Sequence, residues 1–336
     1  RQRRALHARR SSHGHMHSKH KVDARSDTLK RTHSQKQRFS TRRQGTVKES
    51  LSTLQVKAAQ SKLATAERPV LLVGGGGWTA DGRAALARLA MVADLPVVVT
   101  FRRHDLFDNT DPHYCGEAGV GMPTGVRETL ERADVVLALN CRFGEMTTGV
   151  YNLFGTAGQP NDQQIVHAHA SAFEFGKVVT PVATIHAGPN AAAVALADAA
   201  SDGSRWAGWR AERRVAFEET LDCPPQLGDL DLGVATAWLR DRLPDDVVVT
   251  NGAGNFSVWP NKFLLYGPEA RLLAPQNGTM GYGLPAAVAA KLADPSRTVI
   301  CFAGDGDFQM NLQELGTALQ ADARPIVLVV DNSSWG

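Results

Sequence analysis

Thr298-Val299-Ile300-Cys301-Phe302-Ala303-Gly304-Asp305-Gly306 is a short apolar run that ends in a glycine, an aspartate and a second glycine. A helical pattern over Leu312–Gln320 follows, and then a second apolar run, Ile326-Val327-Leu328-Val329-Val330, closed by Asp331-Asn332. Short apolar runs alternating with helix-length segments predict parallel strands buried on both faces. The separation of Asp305 from Asn332 fits one helix plus one strand, so both side chains return to the same sheet edge. In open parallel sheets, ligands bind beyond the carboxyl ends of the strands, where these residues fall.

The same grammar extends upstream. Val234–Leu243 reads as a helix and Val247–Thr250 as a strand entering Asn251-Gly252-Ala253-Gly254-Asn255. Leu272–Ala274 is short and extended. Gly283–Leu292 is a helix with Pro285 in its first turn, where proline is tolerated. Strand ends at Thr250, Ala303 and Val330 therefore converge. Further upstream, strands are expected at Pro69–Val73, Leu95–Thr100, Val135–Asn140, Gln164–Ala168 and Val182–His186. Helices at Leu51–Ala66, Ala84–Val92, Val126–Ala133 and Ala191–Ala199 separate them. Residues 201–231 read as a linker with some helix, containing Trp206, Trp209 and Pro224-Pro225.

The expected fold is therefore α/β, with two doubly wound parallel-sheet domains. One spans 51–200, and the second spans 232–336 and stops without a covering helix, as if cut short. The length of 336 residues supports two cores, since single cores rarely exceed roughly 250 residues.

Residues 1–50 are different in kind. They are dense in Arg, Lys and His, hold few acids, and almost lack Val, Ile, Leu and Phe. Such a segment cannot bury enough apolar surface to offset its ordering entropy, so it is expected to be a disordered basic arm. Three readings stand open: an arm for an anionic partner, weak metal binding by His13, His15, His17 and His20, or a shifted frame or remnant. The net charge of +3 excludes nucleic-acid binding by bulk charge. No apolar run is long enough to span a bilayer, and the N-terminus lacks the apolar core of a secretory signal. The four cysteines, Cys115, Cys141, Cys223 and Cys301, show no CxxC spacing, which disfavours a zinc site and suits a reducing cytoplasm.

Gly304 and Gly306 permit close backbone approach on either side of the Asp305 carboxylate. That carboxylate, the amide oxygen of Asn332 and a backbone carbonyl suit magnesium, a hard ion that keeps water and phosphate oxygens as its other ligands. A helix opening near Met310 would present its N-terminus to a diphosphate.

The stretch Gly278-Thr279-Met280-Gly281-Tyr282-Gly283-Leu284-Pro285-Ala286-Ala287, with Gly304-Asp305-Gly306 and Asp331-Asn332, resembles the thiamine-diphosphate enzymes of the acetolactate synthase and benzoylformate decarboxylase group. The likeness to acetolactate synthase-like proteins covers roughly residues 60–336. It implies that Asp305 and Asn332 ligate magnesium by side chain and Ser334 by its backbone carbonyl. It implies that Gly304, Gly306 and Asp307 form the diphosphate turn, with Gly306 and Asp307 offering amides. Gly254 and Asn255 fall where the family contacts the diphosphate from the preceding strand. Gly278 would bond the aminopyrimidine, and Met280 would be the apolar wedge that bends the cofactor. Asp331 stands where the family commonly has Asn, and Trp335 where it commonly has Tyr.

The implied chemistry is decarboxylation or carboligation of a 2-keto acid by a transferase or lyase. Family enzymes activate the cofactor with a glutamate from an N-terminal pyrimidine-binding domain, across a subunit interface in dimers or tetramers. Residues 1–50 are too few and too polar to be that domain, and Glu49 precedes a helix. The chain is thus expected to be a fragment, inactive alone, with no catalytic residue of its own. Two alternatives remain: a benzoylformate-type decarboxylase, and a non-catalytic cofactor-binding module with a basic arm.

Gly74–Gly77 follows a strand, and Arg142-Phe143 resembles part of the family's flavin-contacting segment. His169 and Ser171 stand where aspartates are common, so a flavin-free structural domain is the favoured reading over one binding FAD. His104, His113, His167 and His186 are expected to be surface or satisfied structural residues, and Arg102-Arg103 a solvated loop.

Overall fold

The computed structural model of the chain describes residues 52–155, 162–226 and 230–331. Residues 1–51 lie outside them, with His13, His15, His17 and His20, as do 156–161, 227–229 and 332–336. The described residues belong to one compact unit.

The first sheet holds β1 (Pro69–Val73), β2 (Val97–Thr100), β3 (Tyr114–Ala118), β4 (Val135–Leu139), β5 (Gln164–His169) and β6 (Ala183–His186). Their order is β3-β2-β1-β4-β5-β6, with every pairing parallel. Every residue of β1, β2 and β4 is buried, which is why these segments read as unbroken apolar runs. Alternation divides them between two cores. Leu71, Val73, Leu137 and Leu139 pack under α1 (Thr53–Thr65), α2 (Ala80–Val92) and, further along the chain, α4 (Pro189–Asp198). Val70, Leu72, Val136 and Ala138 pack with Val126 and Leu130 of α3 (Thr124–Arg132) and with Phe143 and Phe154.

The stretch 201–231 contributes α5 (Ala207–Glu218) to the first sheet's packing. The indole N–H groups of Trp206 and Trp209 donate to the carbonyls of Ala66 and Pro69. Phe217 meets Tyr114 edge-on at 5.0 Å. Strand β3 was not expected, because Gly116 and Glu117 interrupt its apolar pattern.

The second sheet follows α6 (Leu232–Arg240) and contains β7 (Val248–Asn251), β8 (Arg271–Leu273), β9 (Val299–Gly304) and β10 (Ile326–Val330) in the order β10-β9-β7-β8, all parallel. Between β7 and β8 lies a short α7 (Val258–Phe263), and α8 (Gly283–Ala293) precedes β9. Two expectations need correction here. The helix after β9 does not open near Met310. A five-residue α9 (Asp305–Gln309) starts directly at the strand end, and α10 (Glu314–Gln320) resumes after a break where Asn311 bonds the Gly281 carbonyl. Arg102-Arg103 is not a solvated loop, since Arg102 is 4% exposed and its Nη1 donates to Pro275 O at 2.5 Å.

The histidines also sort differently from a surface set. His104, His113 and His167 are buried, and only His113 has both ring nitrogens near carboxylates, those of Asp111 and Asp94. His167 Nε2 donates to the Cys141 carbonyl, and His186 Nε2 to that of Ala170.

Candidate functional site

The carboxyl ends of β7, β9 and β10 lie side by side, with Asn251 opposite Phe302 and Val330 opposite Gly304. Each strand leads straight into polar or glycine-rich chain. Gly304 must come very close to its neighbour, because a Cβ there would lie 2.8 Å from the Phe256 ring. That contact seats the turn from β9 into α9 against the loop after β7.

Asp307 fastens this region from inside. It is 3% exposed, and its Oδ1 accepts from Gly281 N at 2.7 Å and Ala253 N at 3.3 Å. One carboxylate thus joins α9, the loop after β7 and the loop before α8. Gly252 is part of the same closure, since a Cβ there would fall 1.8 Å from Asp307 Oδ1. Burial pushes the Asp307 carboxyl above its ordinary pKa, while the two amides and the charge of Arg102 pull it back.

Asp305 has the opposite environment. It is half-buried at the first position of α9, and none of the described residues gives it a hydrogen bond or ion pair. Its carboxylate therefore stands at the strand edge with its acceptor capacity unused by those residues. Gly254 and Asn255 are exposed on the loop after β7, and Ser257 Oγ donates to Gly254 O at 2.8 Å. Gly278 is exposed and Met280 half-buried on the loop before α8. Gly304 and Gly306 are buried. The structure thus brings Gly254, Asn255, Gly278 and Met280, on two loops, beside Gly304, Asp305, Gly306 and Asp307 at the junction of β9 and α9. Asn332 and Ser334 lie outside the described residues.

Among the described residues, no three His, Cys, Asp or Glu side chains gather as a metal cluster. The donor chemistry at Asp305 is instead a single carboxylate beside backbone groups. That suits a hard ion completed by water and by oxygens of a bound phosphate. The residues present therefore fit magnesium diphosphate.

A cavity of about 830 Å³ opens beside these loops, lined by Gly254, Asn255 and Gly278 on one side and by Arg102, His104 and Glu117 on the other. Sequence reasoning missed this last group. Glu117 is largely buried, its Oε1 accepts from Arg102 N at 2.8 Å, and its Oε2 lies 3.8 Å from His104 Nε2. Burial pushes the Glu117 carboxyl up to about 7 and the His104 imidazole down to about 3. The available signal was a charged residue inside a short apolar segment, Tyr114–Ala118, which is uncommon unless the charge has a partner.

Of the flavin-related positions on the first sheet, Phe143 and His169 make internal contacts, while Arg142 is exposed and lines the cavity. Phe143 is 1% exposed and packs edge-on against Phe154 and His167. His169 Nδ1 accepts from Ser171 N at 3.0 Å.

The sequence model for the thiamine pyrophosphate enzyme central domain matches residues 56–196, and that for the C-terminal TPP-binding domain matches residues 252–336. The large subunit of acetolactate synthase isozyme 2 from Escherichia coli (strain K12) is 30% identical over 284 residues, covering 84% of this chain and 50% of the relative. The acetolactate synthase large subunit of Parasynechococcus marenigrum (strain WH8102) is 30% identical over 285 residues, covering 83% and 45%. A probable acetolactate synthase large subunit of Methanocaldococcus jannaschii is 29% identical over 300 residues, covering 84% and 49%. The chain spans about half the length of the curated relatives it matches. The first match contains all six strands of the first sheet and the second contains β8, β9 and β10, beginning just after β7. The chain belongs to the thiamine-diphosphate-dependent enzymes, on their acetolactate synthase-like side.

Proposed function

We propose that the β9–α9 junction and the two loops that Asp307 joins to it bind thiamine diphosphate with magnesium, in a protein that decarboxylates a 2-keto acid and ligates the product to a second one. The observation that carries this reading is Asp305, a half-buried carboxylate without a partner among the described residues, set at the end of a central parallel strand. Bound thiamine diphosphate supplies the electron sink that decarboxylation of a 2-keto acid requires.

The chain's own residues bind and orient. Asp305 contributes a carboxylate oxygen to magnesium, with Asn332 and Ser334 as the further protein ligands read from the sequence. Gly306 and Asp307 offer backbone amides to the diphosphate, and Gly254 and Asn255 approach it from the loop after β7. The Gly278 carbonyl would bond the aminopyrimidine, and Met280 would be the apolar wedge that keeps the cofactor bent. Asp307 acts through the chain: it fixes Ala253 and Gly281 so that the loops keep their spacing.

The first sheet is assigned a structural, flavin-free role, supported by the internal engagement of Phe143 and His169. Flavin absorbance retained on purification would overturn that part. The four free cysteines support a reducing compartment, the cytoplasm. Among the described residues no helix is long and apolar enough to cross a membrane. A homo-oligomer is the proposed working form.

The test is Asp305→Ala in the full-length protein, titrated calorimetrically with thiamine diphosphate and magnesium. Affinity should fall on the order of 100-fold, about 2.7 kcal/mol, when the charged ligand is removed. Thermal stability should stay within about 0.5 kcal/mol, since no hydrogen bond or ion pair among the described residues is lost. Unchanged affinity would sink the metal assignment. Carboligation is then checked by supplying two keto acids and looking for a branched 2-hydroxy-keto product.

A further inference from the structure

We propose that Arg102, on the first sheet, is a positioning residue for the loop that carries Gly278 and Met280. This inference rests on the cofactor reading above and adds a residue that neither domain match assigns.

The loop from Pro275 to Gly281 is held at both ends. At its far end, Gly281 N donates to Asp307 and Gly281 O accepts from Asn311 Nδ2 at 2.7 Å. At its near end the holding groups come from the first sheet. Arg102 Nη1 donates to Pro275 O at 2.5 Å, and Arg102 O accepts from Gln276 Nε2 at 3.2 Å. Gly278 and Met280 lie between these two anchors.

Arg102 is itself built to stay in place. Its backbone adopts φ +56°, a left-handed conformation that costs a bulky residue roughly 1–2 kcal/mol. Its N–H donates to Glu117 Oε1, and its guanidinium lies 4.8 Å from the Phe101 ring centroid. Such strain persists only where the surroundings over-determine the geometry. Burial lowers the pKa of its guanidinium, and the charges of Glu117 and Asp307 oppose that shift. Glu117 therefore holds the backbone of the residue whose guanidinium holds Pro275.

Simple adhesion between the two sheets is the competing account. The structure offers a control for it. Asn109 bridges the same two halves through a reciprocal pair, accepting from Tyr266 N and donating to Tyr266 O, each at 3.0 Å. It makes no hydrogen bond to the 275–281 loop. Adhesion predicts that Asn109 and Arg102 behave alike, whereas positioning predicts that only Arg102 affects the ring end of the ligand.

The experiment measures two dissociation constants in the full-length protein with magnesium, one for thiamine diphosphate and one for inorganic pyrophosphate. Pyrophosphate reports the Asp305 end alone. Arg102→Ala should weaken thiamine diphosphate by about tenfold to a hundredfold, as a loop misplaced by an ångström would, and change pyrophosphate less than about twofold. Gln276→Ala, on an exposed side chain, should weaken thiamine diphosphate in the same direction by a few-fold. Asn109→Ala should leave the ratio of the two constants unchanged. Equal losses for both ligands in Arg102→Ala, or thiamine diphosphate affinity retained in Arg102→Ala and Gln276→Ala, would overturn the proposal. If Arg102→Ala does not fold, the Gln276→Ala ratio decides. If the wild type binds neither ligand, the cofactor reading itself falls, and this inference with it.

Discussion

Strands β1 and β9 both run into glycines at the carboxyl edge of a parallel sheet, yet the two edges are finished differently. After β1, the Gly74–Gly77 turn is closed by side chains of its own sheet. Asn140 Nδ2 donates to Gly74 O at 3.2 Å and to Gly76 O at 2.9 Å, and Trp78 Nε1 donates to Gly74 O at 2.9 Å. After β9, Asp307 turns inward to hold neighbouring loops, while Asp305 has no partner among the described residues. Glycines at a strand end license close approach in both places. Whether a ligand is the thing approached depends on whether the protein has already spent the local hydrogen bonds on itself.

The largest effect should come from removing the fastening at the second edge. Asp307→Ala strips the buried Gly281 amide and the half-buried Ala253 amide of a charged acceptor, and each such bond contributes about 1.5–3 kcal/mol. We expect a loss of roughly 3–5 kcal/mol in denaturant melts, together with loss of thiamine diphosphate binding. The contrast with Asp305→Ala is the point: that variant should lose the ligand and keep its stability. If Asp307→Ala melted within about 1 kcal/mol of the wild type, the division between a fastening and a binding aspartate would collapse.

What could be read from the sequence follows the range of the forces involved. Strands β1 and β4 were legible because full burial leaves an unbroken apolar run, and β9 because its run ends in a recognisable glycine turn. Strand β3 was not, because Gly116 and Glu117 break the local pattern and only the assembled cavity explains them. The expectation at Asp305 rested on neighbours a few positions away and on a strand one helix downstream. Arg102 was misread, because the carbonyl it serves lies 173 positions along the chain and no local pattern encodes that contact. The inward turn of Asp307 was missed for the same reason, its partners being 26 and 54 positions away.

Glu117 sharpens the comparison by placing a buried carboxylate on the first edge too, facing Arg102 and His104. Burial raises its folded-state pKa from 4.5 to about 7. A raised folded pKa means the folded state holds its proton longer than the unfolded chain. The contribution to stability is therefore fully present below about pH 4.5 and is lost as pH rises to about 7. The loss is roughly 3 kcal/mol at most, at about 1.4 kcal/mol per pKa unit. Glu117→Gln keeps the acceptor for Arg102 N and removes the titration. The stability of the variant relative to wild type should climb across that window and then level off, measured by urea melts at a series of pH values. Buried His104, pushed down to about 3, acts in the opposite direction as pH falls and lies 3.8 Å from Glu117, so the comparison is made in a His104→Gln background shared by both proteins. A difference that stayed flat from pH 4.5 to 7 would mean that Glu117 is ionised at little cost beside Arg102.

The smallest effect belongs to Asn140, and it is the most direct way to break the comparison. Its side-chain amide serves two carbonyls of the Gly74–Gly77 turn, and its own backbone sits at φ +57°, where asparagine is tolerated better than alanine. Asn140→Ala loses both bonds and adds left-handed strain, offset in part by water reaching the freed carbonyls. The net cost should be about 2 kcal/mol in a denaturant melt. Thiamine diphosphate affinity should stay within about twofold of wild type, because effects at separate sites without shared partners add independently. Strand-end glycines alone would make both edges equivalent, and weakening one turn would then weaken ligand binding as the other does. A fall in affinity approaching that of Asp305→Ala would mean that the first edge also meets the cofactor, and that its internal hydrogen bonds shape a binding surface. Loss of stability alone would leave the ligand to the edge where the carboxylate is still unspent.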